Sequence, residues 1–399
     1  MARRPAATNE TALPPPAAAS ATVLVGHAPA ERAFLAALQA GRMPHAWLIT
    51  GPKGVGKATL AFRMARALLD TQPAAAAQGG LLGDAPSAIA SLDMAADHPV
   101  FRRVAELTHS DFRLLRRSLT DKGKLRTEIV IEDVRAAIDF LRLTPAEGAW
   151  RVLIVDSADE LNRNAANALL KILEEPRPRT VLILVSHAPG RLLATIRSRC
   201  RRLVLAPLGE DTMRAALAER APGLAVADRD LVMALAEGSL GRALELIEGD
   251  ALTLFHDIAR LLVQWPRFDT AALHKLADRV SGRGTERSFE LAAALLEWIG
   301  ARFLRHAALG GVARESYPGE ADLLRKWRAA AGLDRWLELW EKVERLFARV
   351  LSVNLDRRQA WLTVWLALQT METGGLDAGP AGSEGRHGGA PSDGAPSFP

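Results

Sequence analysis

One loop constrains this chain more than any other stretch: Gly51-Pro-Lys-Gly-Val-Gly56-Lys57-Ala58-Thr59. It follows the short apolar run AWLIT (46–50) and precedes the helical sequence TLAFRMARALL (59–69). Gly51, Gly54 and Gly56 let successive main-chain N–H groups turn inward around an anion. Lys57 reaches the terminal phosphates, and the following helix offers its positive end. Such a loop joins a buried strand to a helix, so the chain around it should be an α/β domain.

The flanking sequence agrees. Residues 28–40 have helical spacing, TEIVI (127–131) reads as a strand, and EDVRAAIDFLRLT (132–144) reads as a helix with Pro145 just beyond it. RVLIV (151–155), TVLILVS (180–186) and RLVLA (202–206) are β-rich runs, and the helical LNRNAANALLKILEE between the first two stops at Pro176. Apolar strands alternating with helices predict a parallel sheet covered on both faces, over residues 23–207. Residues 71–96, rich in Ala and Gly, read as a long loop or insertion.

From about residue 208 the strand signals vanish. Residues 208–250 predict two or three short helices, and 251–372 a larger all-helical block. That block carries seven of the nine tryptophans, expected in core and interface packing. Residues 1–22 and 373–399 offer little to bury and are expected to be disordered tails.

Several function classes fall away. No apolar run approaches the ~20 residues that cross a bilayer, and the two N-terminal arginines have no apolar stretch behind them, so a secretory signal is not expected. A single cysteine, Cys200, excludes a disulfide framework and a four-cysteine zinc site, and points to a reducing cytoplasm. A net charge of +5 permits a polyanionic partner without requiring one.

The loop is defective for hydrolysis. The residue after its lysine should be Ser or Thr, to ligate magnesium, and here it is Ala58. Thr59 comes one residue late, which on a helix rotates its hydroxyl by about 100°. Asp156, ending the run Val152-Leu-Ile-Val155, is the candidate second magnesium ligand; its alternative role is helix capping. Motor ATPases of this type follow that acid with a water-activating Glu, and this chain has Ser157. Gly51, Gly54, Gly56, Lys57, Thr59 and Asp156 therefore form a degenerate nucleotide site, with weak ATP or ADP binding left open.

The string Asp156-Ser-Ala-Asp-Glu-Leu-Asn-Arg-Asn-Ala-Ala-Asn167-Ala-Leu-Leu-Lys171-Ile-Leu-Glu174-Glu175-Pro176 resembles the signature of the clamp-loader subunits of bacterial DNA polymerase III. So do Val25-Gly26-His27, Pro44-His45-Ala46, Ile196-Arg-Ser198-Arg199-Cys200, Gly238-Ser239-Leu-Gly241-Arg242 and Asn354-Leu-Asp-Arg357, which spread the likeness over about 23–370. Ala58 and Ser157 place it with the non-motor branch of that family. The resemblance implies an AAA+ fold of three parts: a nucleotide-binding-like domain (23–207), a helical lid (208–250) and a helical collar (251–372) for ring assembly. It implies a cytoplasmic heteropentamer with gamma/tau motor subunits and a clamp-opening delta subunit, which opens the sliding clamp and loads it onto primed DNA. The chain would be its rigid wedge, with no membrane partner. Family members often carry a zinc module; residues 70–128 contain no Cys, only His98 and His109, so no zinc is expected, with those histidines in loops or at the surface. Arg242 sits one place later than the phosphate-sensing arginine of motor subunits.

Arg191, Arg197, Arg199, Arg201 and Arg202 cluster within twelve residues. A cluster of this kind is either a solvated basic face or the source of an arginine finger, a guanidinium offered in trans to a neighbour's γ-phosphate. Ser198-Arg199-Cys200 matches the family's finger motif, so Arg199 is the expected finger. The competing functions are an autonomous ATPase of the gamma/tau or DNA-remodelling type, disfavoured by Ala58 and Ser157, and a sequence-specific DNA-binding regulator, for which no recognisable motif is present.

Overall fold

A computed structural model describes residues 13–71, 89–147, 149–282, 286–309, 315–353 and 355–371. Most of the expected insertion and tails, and Asn354, lie outside the described residues. The chain forms two compact units, Met1–Gly249 and Asp250–Pro399.

The first unit is built on a parallel sheet of β1 (Ala46–Thr50), β2 (Phe112–Leu115), β3 (Arg151–Asp156), β4 (Thr180–Ser186) and β5 (Arg201–Val204), in the order β2-β3-β4-β1-β5. Alternate residues serve opposite faces. Trp47, Ile49, Val152, Ile154, Val181 and Ile183 pack under α1 (Ala28–Gln39), α2 (Lys57–Leu69) and α3 (Pro99–Ala105). Leu48, Leu153, Val155, Leu182 and Leu184 pack under α4 (Ile131–Arg142), α5 (Arg163–Glu174) and α6 (Ala194–Arg199). The expected two-sided parallel sheet is therefore present.

One strand differs from expectation. TEIVI is not a sheet strand: Ile131 opens α4, and Ile129 only bridges Leu161. The edge strand is Phe112-Arg-Leu-Leu115, paired with β3. A buried ion pair secures that edge. Asp111 is fully buried 3.1 Å from Arg151, and its carboxylate accepts the main-chain N–H groups of Ala146 (2.8 Å) and Glu147 (2.9 Å). His109 lies in a loop, one of the two placements expected for it, but is buried there and accepts the Asp111 N–H at 3.1 Å. His98 caps α3 through the Val100 N–H.

The chain start also departs from expectation. Within the segment expected as a tail, residues 13–22 are folded against α2, with a short 3-10 turn at Ala17–Ala19 and Ala19 fully buried. The cause is α2, a helix so enclosed that two of its arginines are buried. Arg66 donates to the Ala21 carbonyl at 2.8 Å and Arg63 donates to that of Thr22, so the segment supplies acceptors that water cannot. Arg63 also pairs with Glu31 and Asp93, each at 2.7 Å.

Three helices, α7 (Glu210–Arg220), α8 (Val226–Ala236) and α9 (Leu240–Glu248), complete the first unit. The second contains α10 (Ala251–Leu262), α11 (Thr270–Ser281), α12 (Glu286–Leu309), α13 (Glu320–Ala330), α14 (Leu333–Val353) and α15 (Arg357–Thr370). Its tryptophans are core residues. Trp327 and Trp336 stack with centroids 4.9 Å apart, Phe303 meets Trp327 edge-on at 5.1 Å, and Trp361 and Trp365 are fully buried. The interface share expected for them is not seen within the described unit: all seven are buried.

Candidate functional site

The phosphate loop leaves the C-terminal edge of β1 and runs directly into α2. Gly54 and Gly56 take positive φ values of 78° and 109°, which only glycine adopts without strain. A Cβ on Gly56 would stand 2.7 Å from Leu24. Lys57, 2% exposed, donates from Nζ to the carbonyls of Gly51 (2.7 Å) and Pro52 (2.5 Å). Burial lowers its pKa to about 8, with Asp156 and Asp159 pulling the other way. No side chain caps the first turn of α2, so its N–H groups remain available to an anion.

Asp156 ends β3, in register with Val185 of β4, while Thr50 pairs with Ser186; the acid and the loop thus share one edge of the sheet. Ser157 Oγ donates to Asp156 Oδ1 at 3.3 Å and lies 2.9 Å from His187 Nε2. The His187 main-chain N–H donates to Asp159 Oδ1 at 2.9 Å. Burial raises the pKa of Asp156, against the pull of His187, Ser157, Lys57 and Arg116. His187 is pushed down by burial first and then by Lys57. Its Nδ1 is buried without a hydrogen-bond partner.

These groups line a cleft of ≈ 840 Å³, within the usual range for a nucleotide-sized ligand. Lys57, Thr59 and Asp156 supply polar groups to its lining, and Val23, Leu24, Leu208, Leu240 and Leu244 its apolar wall. The start of α9 holds the loop: Ser239 Oγ donates to the Lys53 carbonyl at 2.8 Å, and the Gly241 N–H to that of Gly54 at 2.9 Å. Arg242, next along, has an exposed side chain. The glycines, Lys57 and the apolar wall fit a nucleotide. The residues do not fit a magnesium ion: Ala58 offers no oxygen, and Asp156 is engaged by Ser157 and crowded by Lys57.

Sequence reasoning missed Arg116, Arg117 and His187, all of which line this cleft. His187 directly follows Ser186, the recognised strand end, which was its only signal. The two arginines follow a strand that had not been read as one.

Arg199 stands elsewhere. It closes α6, donates to the Thr195 carbonyl at 3.1 Å and pairs with Glu174 at 3.0 Å, with over a third of its side chain exposed. Two residues on, Arg201 is in register with Trp47, whereas Leu205 donates to Thr50 beside the phosphate loop. Arg201 thus lies at the opposite end of the strands from the loop, a strand length or about 13 Å away, and Arg199 comes two residues before it. The arginine cluster is not one face: Arg201 sits over the Trp47 ring at 5.0 Å, and Arg197 donates to the Pro189 carbonyl at 3.4 Å. Cys200 is buried, its thiol pushed up to about 12, as an inert packing residue should be.

A parallel sheet in this order, a phosphate loop after β1, an acid at the end of β3 and a helical lid define a P-loop domain of the AAA+ class. Residues 26–209 match the family described as DNA polymerase III, delta subunit. The DNA polymerase III subunit delta' of Pseudomonas aeruginosa is 39% identical over 156 residues, covering 39% of this chain and 41% of that protein. The subunit delta' of Escherichia coli K12 is 34% identical over 220 residues, covering 54% of this chain and 58% of that protein. The chain thus spans about half the length of these relatives. A DNA polymerase III gamma subunit-related protein from Thermotoga maritima aligns with a TM-score of 0.42 at 16% identity, over 85% of this chain and 99% of that one. The resemblance read from the sequence is therefore to the delta' type of clamp-loader subunit, and it is strongest over the α/β domain.

Proposed function

We propose that this chain is the non-motor, delta'-type subunit of a DNA polymerase III clamp loader. In that reading it is a component of the replicative polymerase complex, stands as a wedge beside gamma/tau and delta subunits, and helps place the sliding clamp on primed DNA. Its own cleft contributes no turnover, because Ala58 supplies no metal ligand and Ser157 no water-activating carboxylate. Arg199 is offered to the nucleotide of a neighbouring subunit. The observation that carries this reading is the pairing of a cleft without hydrolytic groups and an exposed arginine toward the opposite end of the strands, out of reach of that cleft. A guanidinium placed there acts on another molecule's phosphates or on none. The test is a steady-state ATPase measurement on the isolated chain, which should give negligible turnover. Turnover at motor-subunit level that disappears in Lys57→Ala would refute the non-motor reading. The collar has a matching test: removing 251–372 should abolish assembly with gamma/tau and delta.

A further inference from the structure

We infer that the cleft takes a nucleoside polyphosphate without magnesium, its charge met by Lys53, Lys57 and Arg116 in place of the metal. This rests on the nucleotide-site reading of the cleft and not on the clamp-loader role.

The argument starts from what the metal would need. A magnesium ion on a bound polyphosphate wants an oxygen at the first helical turn and a free carboxylate at the strand end. The first position is Ala58. The second, Asp156, accepts the Ser157 hydroxyl at 3.3 Å and is surrounded by Lys57, His187 and Arg116. A cation entering there would displace that hydrogen bond and face the charges of Lys57 and Arg116.

The same charges favour a bare polyanion. Among the cleft-lining groups, Arg117 is neutralised by Glu160 at 3.0 Å, and Arg220 is matched in number by Glu245. Lys53, Lys57 and Arg116 then outnumber Asp156, the one unmatched acid of the lining, and Asp159 beside it. Arg116 donates to the neutral carbonyls of Leu13 (2.7 Å) and Pro14 (2.5 Å), and Lys57 to those of Gly51 and Pro52. A phosphate oxygen outcompetes a neutral carbonyl for a charged donor, so both cations can be recruited without breaking an ion pair. The uncapped first turn of α2 adds main-chain donors. The apolar wall of Val23, Leu24, Leu208, Leu240 and Leu244 suits a base and sugar, which directs the site to a nucleotide over inorganic polyphosphate.

The experiment titrates ADP and ATP into the full chain by calorimetry, once in excess EDTA and once in excess magnesium. Affinity should be higher in EDTA than in excess magnesium, which holds ATP as its magnesium complex, and in EDTA tripolyphosphate should bind at least about tenfold more weakly than ATP. In EDTA, Lys57→Ala and Arg116→Ala should each weaken binding by about tenfold or more, as loss of a charge-assisted contact requires. Lys53→Ala, at an exposed loop position, should weaken it a few-fold with an unchanged melting temperature, which guards against a folding artefact. Magnesium leaving the affinity unchanged or tightening it, tripolyphosphate binding as well as ATP, or no saturable binding in EDTA would overturn the inference. None of these results bears on assembly with clamp-loader partners, which is measured separately.

Discussion

Lys57 is an ammonium almost wholly removed from water, held by two loop carbonyls and pulled down to a pKa of about 8. In the unfolded chain the same group releases its proton near the ordinary value of 10.5. Between those values the unfolded state binds more protons, so the Lys57 contribution to stability rises as pH rises. Urea titrations of the natural chain and Lys57→Met should show the natural chain gaining on the variant between about pH 8 and pH 10.5, by on the order of 2–3 kcal/mol. A difference independent of pH would mean that the ammonium is not desolvated. Residue by residue, the cleft was legible wherever a short motif fixes a role: Gly51, Gly54, Gly56, Lys57 and Asp156 all meet at one sheet edge. His187 and Arg116 were not legible, because only the parallel register of β2, β3 and β4 brings them to Asp156.

At the scale of elements, β2 holds its place through the buried pair Asp111–Arg151. Arg151 lies over the Phe140 ring and donates to the carbonyls of Phe140 (3.0 Å) and Thr144 (2.8 Å), so it cannot follow a lost partner into solvent. Asp111→Ala should cost about 3–5 kcal/mol, and adding Arg151→Met should recover much of it. A double variant no more stable than the single one would show that the main-chain contacts of Asp111, and not its charge, hold the edge. In the second unit, α12 lies so close to α14 that a methyl group on Gly300 would enter the Trp340 indole. Gly300→Ala should therefore destabilise by about 1–3 kcal/mol despite its better helix propensity, as a shifted thermal midpoint would report. The extents of α1, α2, α4 and α5 were readable from periodicity to within a few residues, and TVLILVS was read residue for residue. The strand at 112–115 was missed because it has no β-branched residue. TEIVI was mistaken for a strand because its β-rich composition masks the helix start at Ile131.

For the whole molecule, the α/β order was legible because strand and helix alternate with short connections over most of 23–207, as the sheet order bears out. The fold of residues 13–22 was not legible, since Ala and Pro carry no pattern and their anchoring depends on two buried arginines of α2. The core role of the tryptophans was legible from composition, but only packing shows that their rings meet one another. No helix among the described residues is long and apolar enough to cross a membrane. What ties the molecule to its proposed role is the separation of Arg199 from its own phosphate loop. An arginine finger stabilises charge that develops in the transition state, so its removal should lower rate more than binding. Its pairing with Glu174 is half in solvent and adds little to stability, so Arg199→Ala should fold normally. The decisive measurement is DNA- and clamp-stimulated ATPase of the reconstituted complex carrying Arg199→Ala, Arg199→Lys or Arg191→Ala. The account predicts intact assembly throughout, a clear loss of ATPase for Arg199→Ala, incomplete rescue by lysine, which cannot reproduce a two-pronged contact, and near-normal activity for Arg191→Ala. Equal behaviour of Arg199→Ala and Arg191→Ala, or undiminished ATPase in Arg199→Ala, would contradict it.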